Sequence, residues 1–329
     1  MSVWRRIEAA RSWTGSPSGR LAGQIISALL SLFIVALLVR AINDVGWSSL
    51  IAVLPTSPLA ATAFWLFFIG QYLTQPIFDW LIFRPWWRLT TPDIAIFLRK
   101  HALNETLFAY AGEGWLLAWA ARRSGVAFDP ARPPSIAGRG DGDGIAPGES
   151  PFADIKDVAI TSGLAGNLFT LAMLILAVAM GAANALGSTL DPALLRQGGL
   201  GFSALVALNI LILFNRGRLF SLPTSANIRS FGLHLARVST AHALLVASWL
   251  VALPLVGISA WLLLGALRLV IARLPLPNKQ LLFAAAAVSL ANQSAPAVAA
   301  LMAAQGALTL AAHTLSWFAA EILDSRRKA

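Results

Sequence analysis

Long apolar runs separated by short polar breaks organise this chain. Runs centred on residues 21–39, 59–83, 158–181, 198–214, 238–253, 255–271, 281–291 and 297–322 read as about eight membrane-crossing helices. Several exceed the ~18 apolar residues that mark a span. Two of them, 238–253 and 255–271, form a hairpin turned at Pro254 and Gly257. The last pair is broken by Asn292-Gln293-Ser294-Ala295-Pro296. The whole chain reads as one integral membrane domain, an all-α polytopic membrane protein.

One stretch does not fit the spanning pattern. Residues 93–125 are apolar enough to enter a bilayer, yet carry His101, Asn104, Glu105 and Glu113. Arg99-Lys100 opens the stretch and Arg122-Arg123 closes it. Basic residues at both ends place both ends on the same side. The segment therefore either dips in and returns as a re-entrant hairpin, or lies on the surface as an interfacial helix. Residues 281–296, with Asn292 in the break, are a second candidate for such an interrupted hairpin. After the central stretch, residues 128–151 are rich in Pro, Gly and Asp, and read as a flexible cytoplasmic loop. The Asp141-Gly142-Asp143-Gly144 run lacks the remaining ligands of a calcium loop and stays part of that linker.

Composition sharpens this picture. Of 329 residues 57% are hydrophobic and 12% charged, against about 25% charged in a soluble domain. There is no cysteine, which excludes disulfides, thiolate metal sites and cysteine nucleophiles. The net charge of +10 is a topology signal. With the N-terminus cytoplasmic and 93–125 not crossing, every Lys and Arg except Arg40 and Arg196 falls on the cytoplasmic side. A single crossing by 93–125 would flip all later loops and destroy that asymmetry. Both termini are then cytoplasmic, in a bacterial-type inner membrane. The basic residues face anionic lipid headgroups, and no nucleic-acid-binding domain is present.

Candidate chemistry follows from ionisable groups in apolar surroundings, which are costly and usually functional. Glu113 lies between Gly112 and Gly114. It has three readings: a headgroup or proton site, a partner of Arg122 or Arg123, or a neutraliser at a helix end. Glu105 follows His101 by one helical turn, and the two share a face. Arg216, Arg218, Arg229 and Arg237, in a basic connection, match phosphate oxygens but equally suit ordinary cytoplasmic loop residues. His242 sits one turn inside its span, next to Ser239 and Thr240, and reads as an interhelical hydrogen-bonding residue. His313, Ser316 and Glu321 are too dispersed for a triad or a metal site. No metalloprotease, phosphate-loop or nucleophile-elbow motif appears, and no cofactor is expected.

The order of these features resembles the lysylphosphatidylglycerol synthase transmembrane-region family, whose members are flippase-like membrane proteins. The resemblance rests on two spans, then Gly112-Glu113 and a run ending Arg122-Arg123-Ser124-Gly125, a loop, and the small-residue span around Ser162, Gly163 and Gly166. It covers about residues 23–322. Where the family carries an acidic–arginine pair this chain has residues 162–167, and where it carries a late Pro-Gly-Gly motif this chain has residues 274–280, which marks a divergent member. The resemblance implies a lipid translocase acting on an amphiphilic anionic or isoprenoid-type lipid. Its candidate site residues are Glu113, Glu105, Arg122, Arg123, Arg216, Arg218, Arg237, His242 and Asn292. Without an ATP motif, movement would be downhill or proton-coupled through Glu113. The alternative is a non-transporting accessory subunit of a lipid-modifying enzyme, since Ala- and Gly-rich faces also suit helix packing with a partner.

Overall fold

A computed structural model describes residues 47–107, 110–124, 151–180, 206–273 and 295–328, together with Leu32, Ser203, Phe283 and Ala287. The expected first span at 21–39, the loop at 128–151 and the segment with Asn292 lie outside the described residues, save Leu32, which is helical. Among the described residues the chain is all-helical, with no strand. The helices are α1 (Trp47–Ala52), α2 (Pro58–Trp87), α3 (Ile94–Thr106), α4 (Ala111–Ser124), α5 (Pro151–Ala179), α6 (Arg216–Leu219), α7 (Thr224–Ala252), α8 (Ile258–Arg273) and α9 (Ala295–Lys328). Residues 206–214 are helical as well.

Among the described residues, three helices are long and apolar enough to cross a membrane: α5 over Pro151–Ala177, α7 over Thr224–Ala252 and α9 over Pro296–Asp324. In their most apolar windows only 28–39% of residues are buried inside the protein. The remaining surface includes Leu168, Ile175 and Leu176 on α5 and Leu315, Phe318 and Ile322 on α9, all exposed. Apolar surface of this extent is stable against lipid and unfavourable in water. The protein is thus read as membrane-embedded. Helix α2, at 30 residues, is as long as these three. Its polar Gln71, Tyr72, Thr74, Gln75 and Asp79 interrupt its apolar run midway.

The expected connection from Arg216 to Arg237 is corrected. Only α6 and residues 220–223 connect, and α7 begins at Thr224, just after Pro223. Two polar residues of α7's first half are interior: Ser230 and His234 are buried, and Ser230 Oγ hydrogen-bonds Thr161 Oγ1 of α5 at 2.8 Å. A helix whose polar face is covered by protein reads as a loop by hydropathy alone. Helix α8 is a short apolar helix over Ile258–Ala272.

Helix α7 is the central packing element, against α2, α5 and α8. One apolar cluster joins Phe64 of α2, Leu245, Val246 and Trp249 of α7, Trp261 of α8 and Leu301 of α9. Another joins Ile82, Phe83 and Trp87 of α2, Phe97 of α3, Leu116 of α4 and Val158 of α5. On both α2 and α7, buried polar and charged residues lie between the parts that enter these two clusters. Two glycines permit close approach. A Cβ on Gly265 of α8 would stand 2.5 Å from the His242 ring, and one on Gly70 of α2 would stand 3.2 Å from Leu244.

Candidate functional site

Helices α3 and α4 form a hairpin that runs back along α2. A turn at Thr91–Asp93 starts it, where Asp93 accepts the Thr90 backbone N–H at 2.7 Å and the Thr90 hydroxyl at 2.8 Å. From there α3 climbs beside α2 in reverse. Phe97 stacks on Phe83 with ring centroids 5.8 Å apart, Lys100 meets Asp79, and His101 lies 5.0 Å from the Tyr72 ring. The return begins at Tyr110, whose φ of 73° is left-handed. Helix α4 then descends, with Glu113 at Lys100 and Trp119 6.2 Å from Trp87.

Gly112 sets the depth of this contact. Its N–H donates to Asn104 Oδ1 at 2.7 Å. A Cβ there would lie 2.2 Å from the Lys100 carbonyl and 2.8 Å from Asn104 Oδ1. Only glycine lets the two helices meet this closely, which brings Glu113 over Lys100. Gly114, by contrast, has open space around it. The left-handed residue at the return is thus Tyr110, two residues before Gly112.

Four charges meet at this level. Lys100 Nζ donates to Asp79 Oδ2 at 2.6 Å and contacts Glu113 Oε1 at 3.2 Å. On the other side of Asp79, Arg237 Nη1 donates to Oδ1 at 3.3 Å, and Arg237 Nη2 donates to Ser162 Oγ at 3.0 Å. Asp79 is 1% exposed and Lys100 5%, so solvent screens this network little. Two carboxylates balance two cations, which is the condition for burying any of them. Burial alone would push Lys100 toward its neutral form, but Asp79 and Glu113 outweigh it, and the Lys100 pKa is raised. Glu113 Oε2 is buried without a hydrogen-bond partner among the described residues.

Deeper along α2 is a neutral polar cluster. The Tyr72 hydroxyl hydrogen-bonds His313 Nδ1 at 2.9 Å and Ser316 Oγ at 2.7 Å. The His101 ring lies 5.1 Å from that of His313. Outside the hairpin, Arg99 pairs with Glu321 at 3.1 Å and with Asp324, tying α3 to α9.

A groove of about 600 Å³ runs along α5 and α7 and is closed on one side by residues 206–214 and α6. Leu164, Leu171, Ile210, Leu213 and Phe231 make its wall apolar, while Thr161, Asn167, Asn209 and Asn227 supply polar points. Asn167 donates to Asn209 at 3.3 Å across it. Arg216 stands at one end. That end is fixed by α5: Asp157 accepts the backbone N–H groups of Ser221 and Leu222 at 2.8 and 2.6 Å, and Lys156 donates to the Leu219 carbonyl at 2.6 Å.

The expected site residues are thus distributed. Glu113 and Arg237 join one network through Lys100 and Asp79, and Glu113 pairs with Lys100. Arg122 and Arg123 lie on α4. Glu105 lies at the far end of α3, and His101 turns to Tyr72 and His313. Arg216 and Arg218 are exposed on α6, and Arg216 serves the groove. His242 packs edge-on against Phe169 at 5.4 Å and against Gly265, with its Nε2 lacking a hydrogen-bond partner among the described residues. Asp79, Lys100, Tyr72 and Ser162 were not among the expected site residues. One signal pointed to Asp79: it is a single carboxylate in an otherwise uncharged run, and such a group requires a cation from another helix. Among the described residues no cluster of His, Asp and Glu is placed to hold a metal ion.

No protein-family model, no curated protein and no solved structure matches this chain.

Proposed function

We infer that this protein is an inner-membrane lipid translocase of the flippase-like kind, and that α3–α4 is a re-entrant hairpin. The observation that carries this reading is the amphiphilic groove along α5 and α7, with a largely apolar wall, a few polar points and Arg216 among its lining residues. Its volume lies in the range of ligand sites, about 300–1,000 Å³. Its chemistry matches an anionic amphiphile, with chains on the apolar wall and the headgroup at the guanidinium.

In this reading α2 also spans the bilayer. The hairpin that runs back from Trp87 to the level of Tyr72 then reaches about 22 Å along it, at 1.5 Å per residue. Backbone at such depth is tolerated when protein covers its polar groups, and α2, α5 and α9 flank it here. The Asp79–Lys100–Glu113–Arg237 network joins hairpin to spans, which gives movement of the hairpin a charge-balanced resting state. The resemblance to the lysylphosphatidylglycerol synthase transmembrane-region family belongs to the same reading.

The test is a vesicle assay. The protein is reconstituted with a fluorescent phosphatidylglycerol, and a membrane-impermeant reductant bleaches the outer leaflet. Bleaching beyond the outer-leaflet fraction is expected, and Leu164→Trp, which fills the groove, should abolish it. Bleaching identical to that of protein-free vesicles would refute translocation and favour the accessory-subunit reading.

A further inference from the structure

Where α2 ends, beside the first turns of α7, three arginines converge on a cleft of about 480 Å³ lined by Leu81, Arg84, Pro85, Arg88, Leu89 and Arg229. We propose that this cleft is a docking site for a phosphate group, separate from the groove and from the buried charge network.

Each arginine is placed by a local feature of the chain. Pro85 has no N–H, so the Leu81 carbonyl one turn earlier loses its helical donor. Arg229 Nη2 supplies the missing hydrogen bond at 3.2 Å, which fixes its guanidinium at the cleft and leaves its remaining donors free. Arg84 lies over the Trp80 ring, 4.7 Å from its centroid, and this holds a side chain that would otherwise be mobile. Arg88 is the C-cap of α2, with φ 48° and ψ 48°. Glycine takes this left-handed position most cheaply. An arginine there accepts backbone strain, and its guanidinium is delivered to the cleft in return.

Among the described residues no carboxylate forms an ion pair with Arg84, Arg88 or Arg229, in contrast to the neutralised cluster around Asp79. Three uncompensated guanidinium groups, each with planar paired donors, suit the tetrahedral oxygens of a phosphate. Trp80, partly exposed beside Arg84, marks an interfacial level, where lipid phosphates lie. The phosphate belongs either to a lipid headgroup or to a free anion, and the cleft's chemistry suits both. This site deepens the translocase reading by adding a phosphate-docking point. It is tested without transport, so the two fail separately.

The experiment titrates the full-length protein, in uncharged detergent and phosphate-free buffer, with three probes: inorganic phosphate, dihexanoyl phosphatidic acid and uncharged dihexanoylglycerol. Binding is read by calorimetry and by Trp fluorescence. Saturable binding of phosphatidic acid is expected, weakened roughly tenfold in each of Arg84→Gln, Arg88→Gly and Arg229→Gln. Binding of phosphatidic acid alone assigns the site to lipid headgroups. Binding of inorganic phosphate as well, or instead, assigns it to the phosphate group from free anions. Arg88→Gly keeps the test sound, because relief of the left-handed strain should leave its melting temperature at or above that of the parent. Equal binding of dihexanoylglycerol, affinities unchanged in all three variants, or no saturable binding of either phosphate probe would overturn the proposal.

Discussion

Replacing Gly112 by alanine adds one methyl group, and the geometry says what it meets. The new Cβ would lie 2.2 Å from the Lys100 carbonyl oxygen, 2.8 Å from Asn104 Oδ1 and 2.8 Å from Lys100 Cγ. The closest of these is backbone, which no rotamer change can move. The start of α4 must therefore separate from α3 by about 1 Å, the overpacking response that typically costs ~1–3 kcal/mol. The same displacement stretches the 2.7 Å bond from Gly112 N–H to Asn104, worth ~0.5–1.5 kcal/mol. It also draws Glu113 away from Lys100, now at 3.2 Å. The expected loss is ~2–4 kcal/mol in stability. Gly114 supplies the control. Its Cβ would meet nothing within 4 Å, so Gly114→Ala should stabilise by ~0.5–1 kcal/mol through helix propensity. Reversible unfolding in mixed detergent micelles, followed by circular dichroism, measures both. Two variants with the same sign, or a Gly112→Ala change under 0.5 kcal/mol, would refute the close approach of α3 and α4.

Two further predictions concern the network and the hairpin. Asp79→Ala leaves Arg237 and Lys100 without their shared carboxylate at a site only 1% exposed, so it should cost ~3–5 kcal/mol. Combining it with Arg237→Ala should cost less than the sum of the two single changes, because the pair is coupled; additivity within 0.5 kcal/mol in a double-mutant cycle argues against the pairing. For the hairpin, the absence of native cysteine allows single-cysteine labelling. Tyr110 is 70% exposed from the protein, so a cysteine at 110 that resists an impermeant thiol reagent must be shielded by lipid. Thr91→Cys, exposed at the start of the hairpin, should label readily from the cytoplasmic side. Equal labelling at both positions would lay the hairpin on the surface.

The amount legible in the sequence depended on whether a feature was local. Helix α2 begins one residue before the apolar run expected at 59, capped by Ser57, whose Oγ accepts the Ala60 N–H at 3.3 Å. The spanning lengths of α5 and α9 follow from runs of apolar residues. The central stretch, with charges at its two ends, folds as two short helices of 13 and 14 residues. What hydropathy could not separate is polar because solvated from polar because buried against another polar residue. Asn227, Arg229, Ser230 and His234 made the first half of α7 look like a connection. In the fold, Ser230 faces Thr161 and His234 is buried. Likewise Tyr72 and His313, 241 positions apart, share a hydrogen bond that no periodicity announces. Gly112 and Gly114 look equivalent in sequence. Only the position of the Lys100 carbonyl distinguishes them.

The arrangement of charge along α2 and α7 ties these observations together. Arg229 and Arg237 lie on one helix about 12 Å apart along its axis, at 1.5 Å per residue. The outer one faces a cleft where cations outnumber anions; the inner one is matched by a carboxylate. A buried ion pair gives little net stability relative to well-packed apolar residues of similar volume, because desolvation offsets the attraction. Stability alone would therefore have favoured a leucine at Asp79 and a methionine at Arg237. Keeping both, with Lys100 and Glu113 on a hairpin anchored by one glycine, costs folding energy and leaves four charges that can exchange partners without net charge entering or leaving the bundle. Asp79 already divides its two oxygens between Lys100 and Arg237, and Glu113 has one oxygen in use and one unpaired among the described residues. A shift of the hairpin along α2 could thus be compensated from within the network. That is the physical requirement the translocase proposal places on the hairpin.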